Sequence, residues 1–268
     1  RVRRGSLRVA RYVDPGQGPR VAVVTGAGSG IGRAIAAALY RAGMKVALLG
    51  RRRGLLEETR RLIEAPRAGG RPRGGSAAGR VLAVPVDVSN RAAAGRAIRR
   101  IEKAWGRLDI LVNNAGTNTP RRSLEEISPE DWDQVLAVNL TGVYNVTRAA
   151  LPALRKSGSG HVINIGSISG LRASKVAGIA YTSSKHAVQG FTATIAIEER
   201  AHGIRATVIH PGEVDTPILE RRPAPVSAER RKVMLRPEDV AETVLFAATR
   251  PPRVSLPLII VEPTAQDF

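Results

Sequence analysis

From residue 21 onward, short runs of apolar and β-branched residues alternate with longer helical stretches. The apolar runs are VAVVTG, KVALLG, RVLAVPVDV, LDILVNNAG, HVINIGS and IRATVIHPG. The longest helical stretches between them span residues 131–154 and 181–201. Parallel strands need a crossover connection, and that connection is usually a helix. The pattern therefore predicts an α/β fold with one doubly wound parallel sheet and helices on both faces.

The regular pattern assigns residues 21–268 to a single domain and leaves irregular segments around and within it. Residues 1–20 carry six arginines and one acid, and we expect a disordered basic tail there; an organellar transit segment is the alternative. Residues 67–80 contain five glycines and four arginines and predict a flexible insertion. Residues 217–237 follow a strand's carboxyl end, where doubly wound sheets bind ligands, and are a candidate substrate lid.

The composition excludes several kinds of site. The chain has no cysteine, which rules out disulfides, thiolate metal sites and cysteine nucleophiles and suits a cytoplasmic protein. Its four histidines are scattered without ligand-like pairing, so we expect no metal. No apolar run approaches the roughly 18 to 20 residues of a spanning helix, and we expect no membrane association.

Basic charge is the extreme feature of the composition. With 42 Lys and Arg against 23 Asp and Glu, the formal net charge is +19, concentrated in residues 1–20, 51–80 and 91–107. Such a surface attracts nucleic acid, anionic lipid, an acidic carrier protein or a phosphate-rich cofactor. Only 3% of the residues are aromatic, too few for a base-stacking platform, so we expect no specific nucleic-acid binding.

A glycine-rich loop, TGAGSGIG at residues 25–32, lies between the first apolar run and the first helix. Glycine permits a tight turn and the close approach of a pyrophosphate, which the free N–H groups of the helix N-terminus attract. This strand–loop–helix unit is typical of a Rossmann-like nucleotide site, with a purely structural turn as the alternative. No GK[ST] ending follows, which argues against an ATP-type loop. The candidate cofactor contacts are Gly26, Ser29, Gly30, Ile31 and Gly32.

The second apolar run ends in three arginines, at the position where an NAD site places a carboxylate on the ribose 2′-hydroxyl. Arginine pairs with a 2′-phosphate, whereas an acid would repel it. We therefore predict NADP(H) as the cofactor, with Arg51 as the main contact and Arg52 as a helper; the alternative is the start of a solvated helix. After the third run, Asp87 is a candidate acceptor for the adenine amino group, with a simple helix N-cap or turn role as the alternative. Val88 lies beside it.

Tyr181 and Lys185 lie four positions apart, on one face of a predicted helix. A nearby cation favours the phenolate and lowers the tyrosine pKa, which makes the phenol a usable acid and base near neutral pH. A surface pair on an amphipathic helix is the alternative for this spacing. The motifs around the pair favour the chemical interpretation.

Six motifs follow one another in the order and spacing of the short-chain dehydrogenase/reductase family, which the chain resembles from residue 21 to its end. They are TGAGSGIG (25–32), NNAG (113–116), AVNLTG (137–142), INIGSISG (163–170), YTSSK (181–185) and HPGEVDTP (210–217). The ending PPRVSLPLIIVEPTAQDF departs from the glycine-rich ending of many members. It is similar to the NADP-preferring branch that includes the serine and 3-hydroxy acid dehydrogenases.

The resemblance implies a role for each matching residue. Tyr181 would be the general acid and base of hydride transfer, and Lys185 would hold the nicotinamide ribose and lower the tyrosine pKa. Ser167 would hydrogen-bond the substrate oxygen, and Asn139 would anchor a water chain that supplies the proton. The further cofactor contacts that it implies are Asn113, which would also brace the sheet, Ala115, Gly116, Pro211, Gly212, Val214 and Thr216.

These residues predict an NADP-dependent oxidoreductase that acts on a small carbonyl or secondary-alcohol substrate. The alternatives are a 3-oxoacyl thioester reductase, whose basic surface would dock an acyl carrier protein, and a catalytically idle nucleic-acid-binding module. The substrate pocket should come from Asn118, Thr119, residues 168–176 and the lid. The resemblance implies a homodimer or homotetramer packed through the helices at residues 131–154 and 181–201.

Overall fold

The computed structural model describes residues 18–65 and 79–265. Most of the predicted basic tail and most of the predicted flexible insertion lie outside these ranges. Near the first described end, the Arg20 guanidinium donates a hydrogen bond of 2.8 Å to the Ala248 carbonyl oxygen. The chain is therefore already attached to the last helix one residue before the first strand.

A seven-stranded sheet forms the centre of the fold, and every pair of neighbouring strands is parallel. In chain order the strands are β1 (Val21–Thr25), β2 (Lys45–Gly50), β3 (Val81–Pro85), β4 (Ile110–Asn113), β5 (His161–Ile165), β6 (Arg205–Pro211) and β7 (Leu258–Val261). Their order across the sheet is β3-β2-β1-β4-β5-β6-β7. The winding direction reverses between β1 and β4, so the carboxyl ends of the strands open a ligand-binding crevice there.

Helices cover both faces of the sheet. They are α1 (Gly30–Arg41), α2 (Arg53–Glu64), α3 (Arg91–Trp105), α4 (Pro129–Leu136), α5 (Gly142–Lys156), α6 (Ile179–Glu198), α7 (Ala228–Lys232) and α8 (Pro237–Ala248). Side chains of α1, α2 and α8 join the apolar core on one face, and side chains of α3, α5 and α6 join the core on the other. The predicted doubly wound α/β sheet is confirmed.

The strand β1 is buried along its whole length, and its side chains alternate between the two cores. Ala22 and Val24 face the core that α1 and α8 cover, whereas Val21 and Val23 face the core that α3 and α5 cover. Burial on both faces explains why this strand is continuously apolar, since a half-exposed strand would alternate with polar residues. Packing against both cores fixes the position of β1, and with it the position of the glycine loop that follows.

The predicted long helix at residues 131–154 is interrupted. The helix α4 ends at Leu136, a π-helical turn spans Ala137–Thr141, and α5 then begins at Gly142. Single π-helical turns inside helices occur frequently at functional sites, and this one contains Asn139. The other long helix, α6, begins and ends slightly earlier than predicted.

None of the helices in the described ranges combines the length and apolar character that crossing a membrane requires. The same part of the chain holds no group of His, Asp and Glu side chains that could bind a metal ion.

Candidate active site

A cavity of about 620 Å³ follows the carboxyl ends of the strands across the boundary between β1 and β4. This size suits a small-molecule or cofactor site. One end is formed by the glycine loop and the end of β2, and the other reaches the ends of β5 and β6 and the predicted lid. The predicted site residues in its wall are Gly26, Ser29, Gly30, Ile31, Arg51, Arg52, Asp87, Val88, Ala115, Gly116, Ser167, Tyr181, Lys185, Pro211, Gly212, Val214 and Thr216.

The glycine loop has the backbone conformation that only glycine adopts without strain. Gly26 and Gly30 have φ values of +65° and +50°. A Cβ on Gly26 would lie 2.8 Å from Asn114 Nδ2, so a side chain would push the loop away from β4. The residue before α1, Ser29, makes no side-chain cap to that helix. The N–H groups of the first turn are therefore available to a phosphate.

Two predicted cofactor contacts, Gly32 and Asn113, do not line the cavity. A Cβ on Gly32 would lie 2.3 Å from the Gly26 carbonyl oxygen, so this glycine allows α1 to pack on the loop. The Asn113 amide donates hydrogen bonds of 2.9 Å to Thr147 Oγ1 and to Asn164 Oδ1. It braces β4 against α5 and β5, as the family resemblance also implied. Its neighbour Asn114, which the sequence did not single out, lines the cavity instead.

The residues after β2 and β3 form the other wall of the cavity at its glycine-loop end. Arg51 and Arg52 are exposed and line the cavity, and their guanidinium groups make no hydrogen bond or ion pair to any other described residue. Asp87 Oδ1 accepts hydrogen bonds from the backbone N–H of Ser89 at 2.9 Å and from its hydroxyl at 2.7 Å. The turn role left open for Asp87 is therefore present, while the two guanidinium groups are available to an anion.

Ser167 and Tyr181 meet at the other end of the cavity. Ser167 follows β5 with an extended backbone, and its Oγ accepts a hydrogen bond of 3.2 Å from the N–H of Ser169. Tyr181 lies in the first turn of α6, and a side-chain hydrogen bond joins it to Ser167. Burial raises the pKa of Tyr181, while this bond and the charge of Arg122 act in the opposite direction. The phenol is therefore protonated at neutral pH and able to donate its proton.

Lys185 lies one turn further along α6 and is buried. Its Nζ donates a hydrogen bond of 2.8 Å to the Ile165 carbonyl oxygen and lies 5.5 Å from the centre of the Tyr181 ring. Burial lowers the pKa of Lys185 to about 8. The two side chains are neighbours, but the lowered tyrosine pKa predicted from them is corrected here: burial outweighs the Ser167 hydrogen bond and the charge of Arg122 and raises the pKa of Tyr181.

Asn139 joins the loop after β4 to α6 from the π-helical turn, where it is fully buried. Its Oδ1 accepts a hydrogen bond of 2.8 Å from the Thr117 N–H. Its Nδ2 donates to the Thr117 carbonyl oxygen at 3.0 Å and to Ser184 Oγ at 3.1 Å. Asn139 is not in the cavity wall but Thr117 is. One amide thus holds the loop after β4 against α6.

Replacing Asn139 by Ala should lower the free energy of unfolding by about 3 kcal/mol, because it leaves buried polar groups of Thr117 without partners. Chemical denaturation, followed by the shift in midpoint, measures the loss. The matched control is Gln134→Ala, which removes an exposed amide from the preceding helix and should change stability by less than about 0.5 kcal/mol. Equal effects in the two variants would show that the Asn139 bonds do not stabilise the fold.

Ion pairs join the predicted lid to the segment after β6. Glu213 accepts hydrogen bonds of 2.8 Å from Arg222 and 2.7 Å from Arg230. Burial raises the pKa of Glu213, but the two guanidinium groups outweigh it and hold that pKa below its ordinary value. The Leu235 N–H also donates to the Glu213 carbonyl oxygen at 2.9 Å. The lid is therefore tied down at both ends.

Residues from each segment predicted to form the substrate pocket line the cavity. They include Asn118 but not Thr119, whose hydroxyl donates to Asp131 Oδ2 at 2.9 Å, away from the cavity. Further wall residues are Ile168, Ser169, Arg172, Ala173, Ser174, Val176, Pro217, Ile218, Leu219, Arg222 and Arg230. The sequence reasoning missed Arg122, which also lines the cavity and is 7% exposed. Nothing local distinguishes it from its exposed neighbour Arg121.

A second missed residue, His210, packs against the backbone of Ser167. The histidine is the next-to-last residue of β6 and is fully buried. Its Nδ1 is hydrogen-bonded to the Ser167 carbonyl oxygen, and burial lowers the pKa of His210. The neutral ring therefore donates from Nδ1 and fixes the backbone of Ser167. A Cβ at Gly166 would lie 2.7 Å from the same nitrogen, so the close packing depends on glycine there.

Comparisons with known proteins agree with this geometry. An uncharacterized oxidoreductase of Staphylococcus aureus is 37% identical over 244 residues, which cover 91% of this chain and 97% of that protein. A serine dehydrogenase complexed with NADP+ has a TM-score of 0.81 and 30% identity, over 92% of this chain and 96% of the other.

A 3-ketoacyl-(acyl-carrier-protein) reductase from Brucella melitensis complexed with NADH has a TM-score of 0.79 and 28% identity. The alignment covers 92% of this chain and 98% of that reductase. The family model described as short chain dehydrogenase matches residues 20–226, a range that holds the glycine loop, Ser167, Tyr181 and Lys185. The chain therefore belongs to the short-chain dehydrogenase/reductase family and is an oxidoreductase.

Proposed function

We propose that the protein transfers a hydride between NADP(H) and a small carbonyl or secondary-alcohol substrate. The observation that carries the proposal is the hydrogen-bonded pair of Ser167 and Tyr181 in a cavity that continues to Arg51 and the glycine loop. A dinucleotide in this crevice has its phosphates at the glycine loop and its reactive end at the strand carboxyl ends near the substrate. The cavity therefore has one end for the phosphates of the cofactor and another for the reaction with the substrate.

The residues at the glycine loop fit a dinucleotide. Gly26 lets the loop pack closely against Asn114 and Ala115, and the first turn of α1 has no side-chain cap. The nicotinamide cofactor supplies or accepts the hydride when it is bound. Pro211, Gly212, Val214 and Thr216 would hold its nicotinamide end, and Lys185 would hold the adjoining ribose.

The catalytic chemistry of the chain is proton transfer at Tyr181 Oη. In the reductive direction, the protonated phenol donates its proton to the carbonyl oxygen of the substrate as that oxygen gains charge. Ser167 Oγ hydrogen-bonds the same oxygen and stabilises the developing charge. In the oxidative direction, the two groups act in reverse. Asn139 fixes the Thr117 loop beside them and would anchor the water chain that resupplies the proton.

The preference for NADP(H) rests on Arg51 and Arg52. Both guanidinium groups line the cavity at the end of β2, where a carboxylate would select NAD. A planar guanidinium pairs with a phosphate group through parallel N–H donors. Asp87 lines the same cavity, and it accepts two hydrogen bonds from Ser89. The electrostatics of this end therefore favour the extra phosphate.

A homo-oligomer is part of the proposal. The family resemblance places subunit contacts on α5 and α6, and on α6 Ile197 is 71% exposed. An isoleucine this exposed on a long helix is the type of residue that a subunit contact covers.

The test is oxidation of NADPH by the purified protein with a panel of small ketones, oxo acids and 3-oxoacyl thioesters at about 0.15 M salt, where loose charge attraction is partly screened. We expect turnover with NADPH to exceed turnover with NADH at least about tenfold. Activity confined to carrier-bound thioesters, with a salt-sensitive KM, would identify the thioester reductase instead. Absence of cofactor binding would overturn the proposal.

A further inference from the structure

His210 lies between two chain segments that the proposed reaction must hold together. It is the next-to-last residue of β6, and its backbone pairs with Ile260 of β7. The residues that follow, Pro211 and Gly212, line the cavity and are proposed to hold the nicotinamide. The ring of His210 contacts Ser167, which lines the cavity after β5. One side chain thus connects the segment proposed for the cofactor to the serine proposed for the substrate oxygen.

One nitrogen of the ring, Nδ1, makes this contact. It is hydrogen-bonded to the Ser167 carbonyl oxygen and lies 3.2 Å from the Ser167 backbone nitrogen. The carbonyl contact is the shorter of the two, which assigns the proton to Nδ1 and makes the ring the donor. The same carbonyl oxygen accepts a hydrogen bond of 2.8 Å from the Gly170 N–H. Both lone pairs of this oxygen are therefore used, and the peptide group after Ser167 is held from two sides.

The Ser167 hydroxyl is oriented by the same local structure. Its Oγ accepts a hydrogen bond of 3.2 Å from the Ser169 N–H, and a side-chain hydrogen bond joins it to Tyr181. A hydroxyl has one proton and two lone pairs, so the Ser169 N–H leaves the proton and one lone pair for Tyr181 and the substrate oxygen. A rotation of the Ser167 backbone would change the direction of Oγ. The donor on His210 therefore acts on the chemistry through the serine.

Close packing restricts the ring to this position. A Cβ on Gly166 would lie 2.7 Å from Nδ1 and 2.8 Å from Cε1, and a Cβ on Gly170 would lie 3.0 Å from Cε1. The buried Nε2 has no hydrogen-bond partner among the described residues. Burial lowers the pKa of His210, and the charges of Lys185 and His186 on α6 act in the same direction. The ring is therefore neutral, with its single proton on Nδ1.

We propose that His210 is a positioning residue, whose Nδ1–H holds Ser167 Oγ at a fixed distance from the segment that holds the nicotinamide. This inference rests on the proposed function, because hydride transfer needs the substrate carbonyl and the nicotinamide at a set distance. A misplacement of about 1 Å can lower the rate about 100-fold. The competing explanation is that His210 only fills space beside β5, in which case an apolar side chain would serve equally well.

Two variants of the same shape separate these explanations. Asn and Leu branch at the same carbon, but only Asn has N–H donors, on the atom that corresponds to the ring Nδ1. Turnover is measured with NADPH and ethyl acetoacetate, a small ketone, as the probe. We expect His210→Leu to lower kcat about 30-fold and His210→Asn to lower it less than about threefold. The Kd for NADPH should change less than about threefold in both variants.

Hydrogen exchange reports the position of Ser167 without any substrate. The N–H groups of Ser169 and Gly170 are bonded to the Ser167 Oγ and carbonyl oxygen, so they exchange faster when the serine is released. In the peptide that covers residues 166–172, we expect exchange about tenfold faster in His210→Leu. In His210→Asn, exchange should stay within about twofold of that in the unaltered protein.

The matched control is His161→Leu. His161 is also buried, but it begins β5 outside the cavity wall, and its Nε2 is hydrogen-bonded to Thr207 Oγ1 at 2.8 Å. This variant should lose stability yet keep kcat and the exchange of residues 166–172 within about twofold. Equal kcat in His210→Leu and His210→Asn, or equal exchange in the two, would overturn the inference.

The unaltered protein provides a measurement that does not depend on the folding of any variant. In its NMR spectrum, we expect a ring proton on Nδ1 of His210 with a nuclear Overhauser contact to the Ser167 amide proton, because the two nitrogens lie 3.2 Å apart. A His210 ring that carries its proton on Nε2 alone would overturn the inference.

The outcomes also separate this inference from the proposed function. Faster exchange in His210→Leu but not in His210→Asn, without NADPH turnover by the unaltered protein on any carbonyl of the panel, would contradict the function. The same result would support the positioning of Ser167 by His210. Turnover of the probe by the unaltered protein, with an unchanged kcat in His210→Leu, would support the function and overturn the inference.

Discussion

Replacing Tyr181 by Phe should lower kcat about a thousandfold while the Kd for NADPH changes less than about threefold. The variant loses only the hydroxyl that donates and accepts the proton, and a positioned acid contributes about two to four orders of magnitude to rate. The ring remains in the first turn of α6, where Lys185 Nζ lies 5.5 Å from its centre. Steady-state turnover and a fluorescence titration with NADPH measure the two quantities.

The matched control for this variant is Tyr144→Phe. Tyr144 lies on α5 with the Arg91 guanidinium 5.5 Å from its ring centre, outside the cavity wall. Its hydroxyl has no part in the proposed reaction, so kcat should stay within about twofold of the unaltered protein. A Tyr181→Phe enzyme that retained a tenth or more of its turnover would contradict the assignment of Tyr181 as the proton donor.

Much of the site could be predicted from the sequence because its chemistry lies in local motifs. The glycine loop needs a strand before it and a helix after it, and both can be recognised from apolar periodicity. The spacing of Tyr181 and Lys185 places them on one side of any helix. Since parallel strands present their carboxyl ends at one edge of the sheet, motifs that follow different strands meet there.

What the sequence could not reveal depends on contacts between distant segments. Asn113 and Asn114 are identical in type, and only the pleat of β4 decides that the first points towards Asn164 and the second towards Thr25. Arg121 and Arg122 are equally alike in sequence. Burial of the second follows from carbonyl groups at Val176 and Arg221 that the fold brings to it.

The raised pKa of Tyr181 could not be predicted for the same reason. The spacing to Lys185 predicts the sign of one charge effect, but the desolvation that raises the pKa depends on how completely the folded chain buries the phenol. The π-helical turn at Asn139 is a further case. A shift of one residue in helix register leaves no clear periodic signal in the sequence of a buried segment, and it becomes visible only in the folded backbone.

Replacing Arg51 by Asp should reverse the cofactor preference. We expect the Kd for NADPH to rise about 100-fold, because a charge-assisted pair with the 2′-phosphate is lost and a repulsive carboxylate takes its place. The Kd for NADH should stay the same or fall, since a carboxylate at the end of the second strand accepts from a ribose 2′-hydroxyl. Titration of both cofactors at about 0.15 M salt measures the specific contribution, because long-range attraction is partly screened there.

The control that separates pairing from net charge is Arg53→Asp. Arg53 is exposed and begins α2, but it lies in the wall of a different groove together with Glu57 and Arg60. The two variants change the net charge equally, so a non-specific field would weaken NADPH binding to a similar extent in both. A selective loss in Arg51→Asp requires contact with the 2′-phosphate. If the unaltered protein binds NADH as tightly as NADPH, the proposed role of Arg51 and Arg52 is wrong. The unpaired guanidinium groups in the cavity wall would then contribute nothing to the preference for NADPH.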